Sequence, residues 1–262
     1  MVKNYRMDGQ KIMIEKLRLF YIVLLSCLLA IGCRTNVELP AEEITYHYEH
    51  EIRLPTNGEI NSATPTLLLL HGYGSNEKDL FSYAKHFHPS MMVVSPRAPI
   101  TLQANKYSWY PLNRSQSGWN YDAEAMLASS DKLLDYISQL IKDKGVNPDK
   151  VYLGGFSQGA IMSLATGLRY PEKIAGIISL SGEVYPEVME RVAEPFKLQK
   201  TQLFVSHGTQ DMVLPVQPMQ AATKELKAAG LVISEHYYDI GHSINSEGFS
   251  ELLKWLKIQI NN

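Results

Sequence analysis

Short apolar runs alternate with amphipathic segments along most of the chain. A short apolar run bounded by turn residues is typical of a buried strand. The runs that predict strands are Thr66–Leu70, Met91–Ser95, Val151–Leu153, Ile174–Leu180, Gln202–Ser206 and Val232–Tyr238. A further segment, Ile44–Leu54, alternates and is rich in Tyr, His and Glu, which predicts a strand at the edge of the sheet.

The segments between these runs have helical patterns. Asp122–Lys144 repeats apolar residues near i, i+3 and i+4 spacing and is followed by Gly145, a common helix stop. The other predicted helices are Ser157–Arg169, Val216–Ala229 and Ser246–Ile260. Alternating strands and helices predict an α/β fold, with a mainly parallel central sheet covered by helices on both faces.

The body of the chain shows no internal division. It has no repeat, low-complexity tract or Pro/Gly linker, so residues 44–262 are predicted to form one domain. Pro96–Asn120, which holds two Trp and two Tyr, is predicted to be a long irregular loop. Long loops in compact domains are often functional.

The composition is that of an ordinary globular protein. Of the 262 residues, 45% are hydrophobic and 20% are charged, which excludes collagen-like, disordered and disulfide-scaffold classes. The formal net charge of −2 gives no indication of a nucleic-acid partner. Both cysteines, Cys27 and Cys33, precede the body, so no disulfide can join its elements.

The N-terminus resembles a targeting segment. A basic stretch precedes Leu19–Ile31, thirteen residues without a charge, which is shorter than the roughly 20 that span a bilayer. The run ends in AIGC, which resembles a bacterial lipobox and predicts a signal peptide over 1–32 and lipidation of Cys33. A second candidate is LLSC ending at Cys27; an ordinary secretory signal or an uncleaved anchor is the other alternative.

Residues 33–43 are polar and are predicted to be a tether. A flexible segment of this length reaches on the order of 20 Å. We therefore expect an extracytoplasmic domain held close to a bacterial membrane.

The sequence GFSQG over residues 155–159 matches the G-x-S-x-G pattern of a nucleophile on a sharp strand-to-helix turn. An apolar strand precedes it and a helical segment follows it, as that turn requires. The glycines leave room where a Cβ would collide with neighbouring backbone. Ser157 is therefore the predicted nucleophile, the alternative being a glycine-rich turn without chemistry.

A serine hydroxyl needs a base to take its proton, and histidine is the usual one. In hydrolases with this turn, the acid and then the histidine follow the serine along the chain. His242 follows the last predicted strand and is the predicted base. His207 and His236 also follow Ser157, but local packing and a position inside a strand are the more natural readings for them.

The acid that orients the histidine is predicted to be Asp211, just after the strand Gln202–Ser206. Carboxyl ends of strands are where open α/β sheets carry their sites. Glu183 follows an earlier strand and competes for this role. Asp239 lies only three residues before His242, so it is poorly placed to face that ring.

The oxyanion hole of such a site uses the amide after the nucleophile and one from the loop after an early strand. The first is the Gln158 N–H. The second is assigned to the Tyr73 N–H, because Gly72 and Gly74 let the backbone bend there.

Several motifs together resemble the phospholipase/carboxylesterase family of serine α/β-hydrolases. They are LLLLHGYGSNEKDL, SPRAP, SWY, GGFSQGA, SHGTQDMVLPV and GH, and they cover about Thr66 to Ile260. The resemblance implies the α/β-hydrolase fold, Ser157, Asp211 and His242 as a triad, and the Tyr73 and Gln158 amides as the oxyanion hole. It also implies activity on carboxylic esters and thioesters without a metal or organic cofactor.

The substrate is not specified by these motifs. Candidates to line an acyl pocket are Trp109, Tyr110, Met162 and Leu214. A small-molecule, glycan or lipid ester is the expected substrate class. An acyl-thioesterase or lysophospholipase of the same fold, a serine peptidase and a non-catalytic binding protein remain alternatives, and the sequence does not indicate an oligomeric state.

Overall fold

The computed structural model describes residues 48–56, 58–115 and 118–261. The predicted signal peptide, the tether and Cys33 lie outside this part of the chain. The described strands, in chain order, are β1 His50–Arg53, β2 Thr66–Leu70, β3 Met92–Pro96, β4 Ile100–Gln103, β5 Lys106–Ser108, β6 Leu112–Ser115, β7 Gly118–Tyr121, β8 Val151–Phe156, β9 Gly176–Leu180, β10 Gln202–Gly208 and β11 Val232–Tyr238.

The central sheet has seven strands in the order β1-β3-β2-β8-β9-β10-β11. Only β1 pairs antiparallel, against β3, and all other neighbours are parallel. This arrangement confirms the predicted fold class. It also explains the wholly buried runs in β2, β3 and β9, because strands inside a sheet covered on both faces have no solvent side.

The helices connect these strands. They are α1 Lys78–Phe81, α2 Ala123–Lys144, α3 Gln158–Arg169, α4 Pro186–Met189, α5 Pro195–Leu198, α6 Val216–Ala228 and α7 Ser246–Asn261, with short 3₁₀ turns at Ala84–His86, Pro148–Lys150 and Pro171–Lys173. Asp122 caps α2, accepting a hydrogen bond from the Ala125 amide at 3.0 Å. Gly145, at φ 66°, ends that helix in the left-handed conformation.

Alternate residues of β2 divide the core into two layers. Leu68 and Leu70 belong to the cluster that packs with α2 and α3, whereas Leu67 and Leu69 belong to the cluster that includes Trp255 of α7. Successive strand side chains point to opposite faces, so the sheet is covered on both sides, as predicted. Among the residues that the structure describes, no helix has both the length and the apolarity to span a bilayer.

The prediction of one irregular loop over Pro96–Asn120 is wrong, because much of this region is regular structure. It contains two hairpins, β4–β5 and β6–β7, that pair internally and not with the central sheet. Strands of three or four residues with polar, exposed positions give too little alternation for a sequence pattern to identify. Both hairpins follow β3, and residues from them reach the site described below.

Strand β8 is longer than the predicted Val151–Leu153 because two glycines extend it. A Cβ at Gly154 would lie 2.9 Å from the Ile178 Cβ on β9, and a Cβ at Gly155 would lie 2.7 Å from the Leu70 carbonyl oxygen. The glycines therefore permit close strand and helix packing, as the sequence predicts for Gly155.

Candidate active site

The turn between β8 and α3 holds Ser157 in a strained conformation. Its backbone angles are φ 55° and ψ −119°, a combination that L-residues rarely adopt. The Ser157 amide donates to the Leu180 carbonyl on β9 at 2.9 Å, which fixes the turn against the sheet. A Cβ on Gly159 would overlap the Leu70 carbonyl, so only glycine lets α3 begin this close to β2.

Ser157, His242 and Asp211 form one chain of hydrogen bonds. His242 Nε2 lies 2.8 Å from Ser157 Oγ, and His242 Nδ1 lies 2.7 Å from Asp211 Oδ2. With a carboxylate at one ring nitrogen and a hydroxyl at the other, the bonding pattern assigns the proton to Nδ1 and leaves Nε2 as an acceptor. The serine hydroxyl can then give its proton directly to the ring.

Asp211 is buried and its carboxylate is fully bonded. Its Oδ1 accepts hydrogen bonds from the Val213 and Leu214 amides at 2.8 and 2.9 Å. His207 Nε2 lies 2.8 Å from the Leu214 carbonyl and 3.4 Å from Asp211 Oδ2. These hydrogen bonds fix the orientation of the carboxylate, so the loop after β10 holds Asp211 Oδ2 against the ring of His242.

The competing acids lie outside this chain of hydrogen bonds. Glu183 is half-buried, and no described residue donates a hydrogen bond to it. Burial and the nearby charge of Asp211 raise the pKa of Glu183, the opposite of what a partnered acid would show. Asp239 is exposed. The structure therefore brings only Asp211 of the three candidates to His242.

The other histidines near the site have structural partners. His71 is buried and accepts a hydrogen bond from the Ala98 amide at 3.1 Å, while its Nδ1 lies 2.9 Å from the Gly72 carbonyl. Burial lowers the pKa of His71, so it remains a neutral part of the scaffold. His236 stacks on Phe204, with ring centroids 4.9 Å apart.

The two amides proposed from the sequence for an oxyanion hole lie on segments that meet at Ser157. A Cβ built on Gly72 would be 3.5 Å from the Ser157 Cβ, so the loop after β2 runs directly past the nucleophile. Within the described part of the chain, the Tyr73 and Gln158 amides have no hydrogen-bond acceptor. Both donors remain available to a bound group.

The Gln158 side chain anchors the start of α3 to the segment after β5. Its Oε1 accepts from the Trp109 amide at 3.0 Å, and its Nε2 donates to the Tyr110 carbonyl at 3.0 Å. Ser108 Oγ lies 3.0 Å from the same Nε2. This buried network holds the cavity wall at Tyr110 against the turn that bears Ser157.

A cavity of about 350 Å³ opens beside Ser157 and His242. Its other lining residues are Gly72, Tyr73, Ser75, Asp79, Tyr110, Leu112, Trp119, Phe156, Gln158, Ile161, Tyr185, Val213 and Leu214. At its rim, the half-exposed rings of Tyr73 and Trp119 meet edge to face, with centroids 5.6 Å apart. Deeper in the wall, the Tyr110 hydroxyl donates to the Tyr185 hydroxyl at 3.2 Å. The cavity is mainly apolar and aromatic.

Two of the four residues expected to line this cavity do not do so. Tyr110 and Leu214 are among its walls, but Trp109 and Met162 are not. Trp109 is buried and donates from Nε1 to the His71 carbonyl at 2.8 Å. Met162 is fully buried in the core. Since α3 is buried almost all round, apolar character alone does not reveal which of its faces meets the cavity.

The sequence contained signals for three wall residues that the expectation omitted. Ile161 follows Ser157 by four residues, which puts it on the same face of α3. Tyr185 follows the carboxyl end of β9, where sites of parallel sheets lie. Trp119 belongs to the aromatic stretch that was expected to be functional.

No group of three His, Cys, Asp or Glu side chains in the described ranges has the arrangement of a metal site. At Ser157 the described residues offer a serine hydroxyl beside an oriented imidazole, and two amides without an acceptor beside an apolar cavity.

Comparison with known proteins identifies relatives over most of the chain. The carboxylesterase SOBER1 of Arabidopsis thaliana is 31% identical over 204 residues, covering 73% of this chain and 89% of the relative. Acyl-protein thioesterase 1 of Aspergillus fumigatus is 28% identical over 216 residues, covering 74% and 87%. The crystal structure of esterase PE8 superposes with a TM-score of 0.69 at 28% identity, covering 80% of this chain and 98% of PE8.

The family model described as Phospholipase/Carboxylesterase matches residues 56–260. That range contains the central sheet from β2 onward and every residue of the hydrogen-bonded chain at Ser157. The protein therefore belongs to the phospholipase/carboxylesterase family of serine hydrolases.

Proposed function

We propose that the protein hydrolyses carboxylic esters through an acyl-enzyme intermediate on Ser157. The observation that carries this proposal is the chain from Ser157 Oγ through both ring nitrogens of His242 to Asp211, with distances of 2.8 and 2.7 Å. An ester hydrolase of this family needs a nucleophile, a base and a fixed acid in this order.

In the first half-reaction, Ser157 Oγ attacks the ester carbonyl carbon while its proton passes to His242 Nε2. The carbonyl oxygen becomes an oxyanion that accepts hydrogen bonds from the Tyr73 and Gln158 amides. The imidazolium that forms is stabilised by the Asp211 carboxylate. The carbon–oxygen bond to the alcohol then breaks, and His242 gives the proton to the leaving oxygen.

In the second half-reaction, water replaces the alcohol. His242 takes a proton from the water as its oxygen attacks the acyl carbon, which forms a second oxyanion in the same hole. The bond to Ser157 Oγ breaks and the serine regains a proton from His242. The products are the free acid and the regenerated enzyme, so no cofactor is consumed.

Turnover of p-nitrophenyl acetate tests the nucleophile. The Ser157→Ala variant should lose this activity to the level of the uncatalysed reaction, while retaining the wild-type circular dichroism spectrum and melting temperature. Activity of the folded variant near the wild-type rate would refute the proposal.

A thioesterase activity is the second candidate. One of the relatives described above is an acyl-protein thioesterase, and thioesters react through the same kind of acyl-enzyme. The test compares kcat/KM for an ester and a thioester with the same acyl group. A chain-length series on p-nitrophenyl esters, followed by acetylated xylan and a lysophospholipid, then separates short-acyl, glycan and lipid substrates.

We further propose that the enzyme acts outside the cytoplasm, anchored to a bacterial membrane by lipid on Cys33. The support is the basic segment, the thirteen-residue apolar run and the AIGC sequence at its end. Two or more acyl chains on one cysteine would anchor the domain stably. Cys33→Ser should move the protein from the membrane to the soluble fraction; an unchanged distribution, or a mature mass without lipid, would contradict the anchor.

A further inference from the structure

An arginine outside the cavity fixes the loop that carries the Tyr73 amide. We propose that Arg97, through Glu77 and Tyr107, is a positioning residue that holds the Tyr73 N–H where the oxyanion forms. The inference rests on the proposed function, because it presupposes acyl transfer at Ser157. It assigns a role in the reaction to a side chain that does not line the cavity.

The loop needs such a support because little regular structure fixes it. Strand β2 ends at Leu70 and α1 begins at Lys78, so seven residues run past Ser157 between them. Gly72 and Gly74 give the segment conformational freedom, and Gly74 has a φ of 74°. The Tyr73 side chain is half-exposed at the cavity rim. Its packing therefore contributes little to fixing the position of the Tyr73 backbone.

Arg97 binds Glu77 at the far end of this loop. Its Nε and Nη2 donate to the two oxygens of the Glu77 carboxylate, each at 2.7 Å, in a bidentate pair. The Glu77 side chain is only 5% exposed. The hydrogen bonds from Arg97 lower the pKa of Glu77 to about 2, so the pair stays ionised throughout the pH range in which an esterase would be assayed. Planar bidentate pairing fixes orientation as well as distance.

The same guanidinium supports the middle of the loop through Tyr107. Arg97 Cζ lies 4.9 Å from the centroid of the Tyr107 ring. The backbone of Tyr107 accepts a hydrogen bond from the Gly74 amide at 2.9 Å and donates to the Ser75 carbonyl at 2.9 Å. These two bonds begin at the residue directly after Tyr73. Arg97 therefore joins the loop at Glu77 to the hairpin strand β5 that pairs with it beside the amide.

A displaced amide would affect the transition state more than the ground state. Removing one oxyanion donor lowers kcat by about 10² to 10³ fold, and a displacement of about 1 Å removes much of that benefit. The neutral carbonyl of the bound ester accepts a weaker hydrogen bond than the oxyanion does, so substrate binding is weakened less by the same displacement. The signature of a positioning role is thus a lower kcat at constant KM, whereas a merely structural ion pair would change stability alone.

The experiment compares Arg97→Lys and Glu77→Gln with Arg169→Lys. Arg169 is a matched control, because it also pairs with a carboxylate, Asp131 at 2.9 Å, and lies 4.9 Å from a tyrosine ring, but at the far end of α3. Each variant is assayed for kcat and KM with p-nitrophenyl acetate. Inhibition constants are measured for a trifluoromethyl ketone, which forms a tetrahedral adduct on Ser157, and for the matching methyl ketone.

Arg97→Lys and Glu77→Gln should each lower kcat by about 10- to 100-fold with KM within about twofold. The inhibition constant of the trifluoromethyl ketone should rise by the same factor, while that of the methyl ketone stays constant. Arg169→Lys should change none of these. In Arg97→Ala, added guanidinium should restore part of kcat.

Folded Arg97→Lys and Glu77→Gln proteins with wild-type kcat and inhibition constants would overturn the inference. So would an equal rise for both ketones. If both variants fail to fold, Tyr107→Leu removes the stacked ring but keeps the backbone pairing, and it should show a smaller change with the same signature. Failure of the proposed function is distinguishable, since it would appear as an active Ser157→Ala protein.

Discussion

His242 Nε2 lies 2.8 Å from Ser157 Oγ, a contact between residues 85 positions apart in the chain. Each residue follows the carboxyl end of a parallel strand, Ser157 after β8 and His242 after β11. Asp211 follows β10, between them along the chain. Because parallel strands present their carboxyl ends at one edge of the sheet, the fold brings the three side chains together.

Asp211→Asn should lower kcat/KM for p-nitrophenyl acetate by about three to four orders of magnitude. An amide cannot stabilise the imidazolium, and it favours the wrong tautomer of His242. Glu183→Gln is the control, because that carboxylate does not contact His242, and its activity should stay within a few fold of wild type. A large loss of activity in Glu183→Gln with little change in Asp211→Asn would assign the role of the acid to Glu183.

Glu183→Gln should also make the protein more stable at pH 8 than at pH 4, relative to wild type. The folded-state pKa of Glu183 is raised by burial and by the Asp211 charge. A raised carboxyl pKa means that the folded state loses stability as pH rises above the unfolded value, and glutamine does not ionise. Melting temperatures of both proteins at the two pH values measure this. The same difference between variant and wild type at pH 4 and at pH 8 would contradict a destabilising charge on buried Glu183.

Gln158→Leu should destabilise the protein by about 1–3 kcal/mol. The change leaves the buried Trp109 amide without its acceptor, whereas the Tyr110 carbonyl keeps a bond from Ser108. For a domain of this size, that corresponds to a drop of roughly 2–4 °C in melting temperature per kcal/mol. Thermal unfolding checks it, and an unchanged melting temperature would show that the network does not stabilise the fold.

Glu77→Gln should reduce the decrease in the free energy of unfolding that occurs as the pH falls into the acid range. The folded pKa of Glu77 is lowered from 4.5 to about 2 by its hydrogen bonds from Arg97. A lowered carboxyl pKa contributes stability that is fully present above the unfolded value and is lost as pH falls through the folded value. Urea unfolding from pH 5 to pH 2 should therefore show a smaller loss in the variant; parallel curves would argue against the ion pair.

Trp119→Ala should reduce kcat/KM for an octanoyl ester more than for an acetyl ester. Its ring closes part of the rim with Tyr73, where a longer acyl chain would gain apolar contact that an acetyl group cannot reach. We expect a loss of about 5- to 10-fold for octanoate and little change for acetate, on the basis of roughly 1 kcal/mol of contact. Ile258→Ala, an exposed apolar residue on α7, is the control and should not alter the ratio.

The sequence predicted the fold class because several inner strands of the sheet are buried on both faces. Runs such as Thr66–Leu70 have no charged position, and every residue in that run is buried. Ser157, Asp211 and His242 could be selected from the chain alone because each follows a strand in the order that the turn motif requires. Their roles stay predictions until the variants are measured.

The substrate cavity could not be predicted in the same way. Its wall depends on which way a side chain turns, and Trp109 and Tyr110 are adjacent, yet only the second meets the cavity. The Arg97–Glu77 pair joins positions 20 residues apart through the geometry of a loop, for which no periodicity exists. Patterns along the chain identify buried faces and motifs, but contacts between irregular segments need the folded structure.

The intact mass of the protein after reaction with a fluorophosphonate shows directly whether Ser157 is an activated nucleophile. Attack by an activated serine leaves one covalent phosphonyl group on the enzyme. The wild type should be labelled once and completely, at Ser157 as located by peptide mapping, and Ser157→Ala should not be labelled. An unlabelled wild type, or an adduct at another residue that persists in Ser157→Ala, would contradict this assignment.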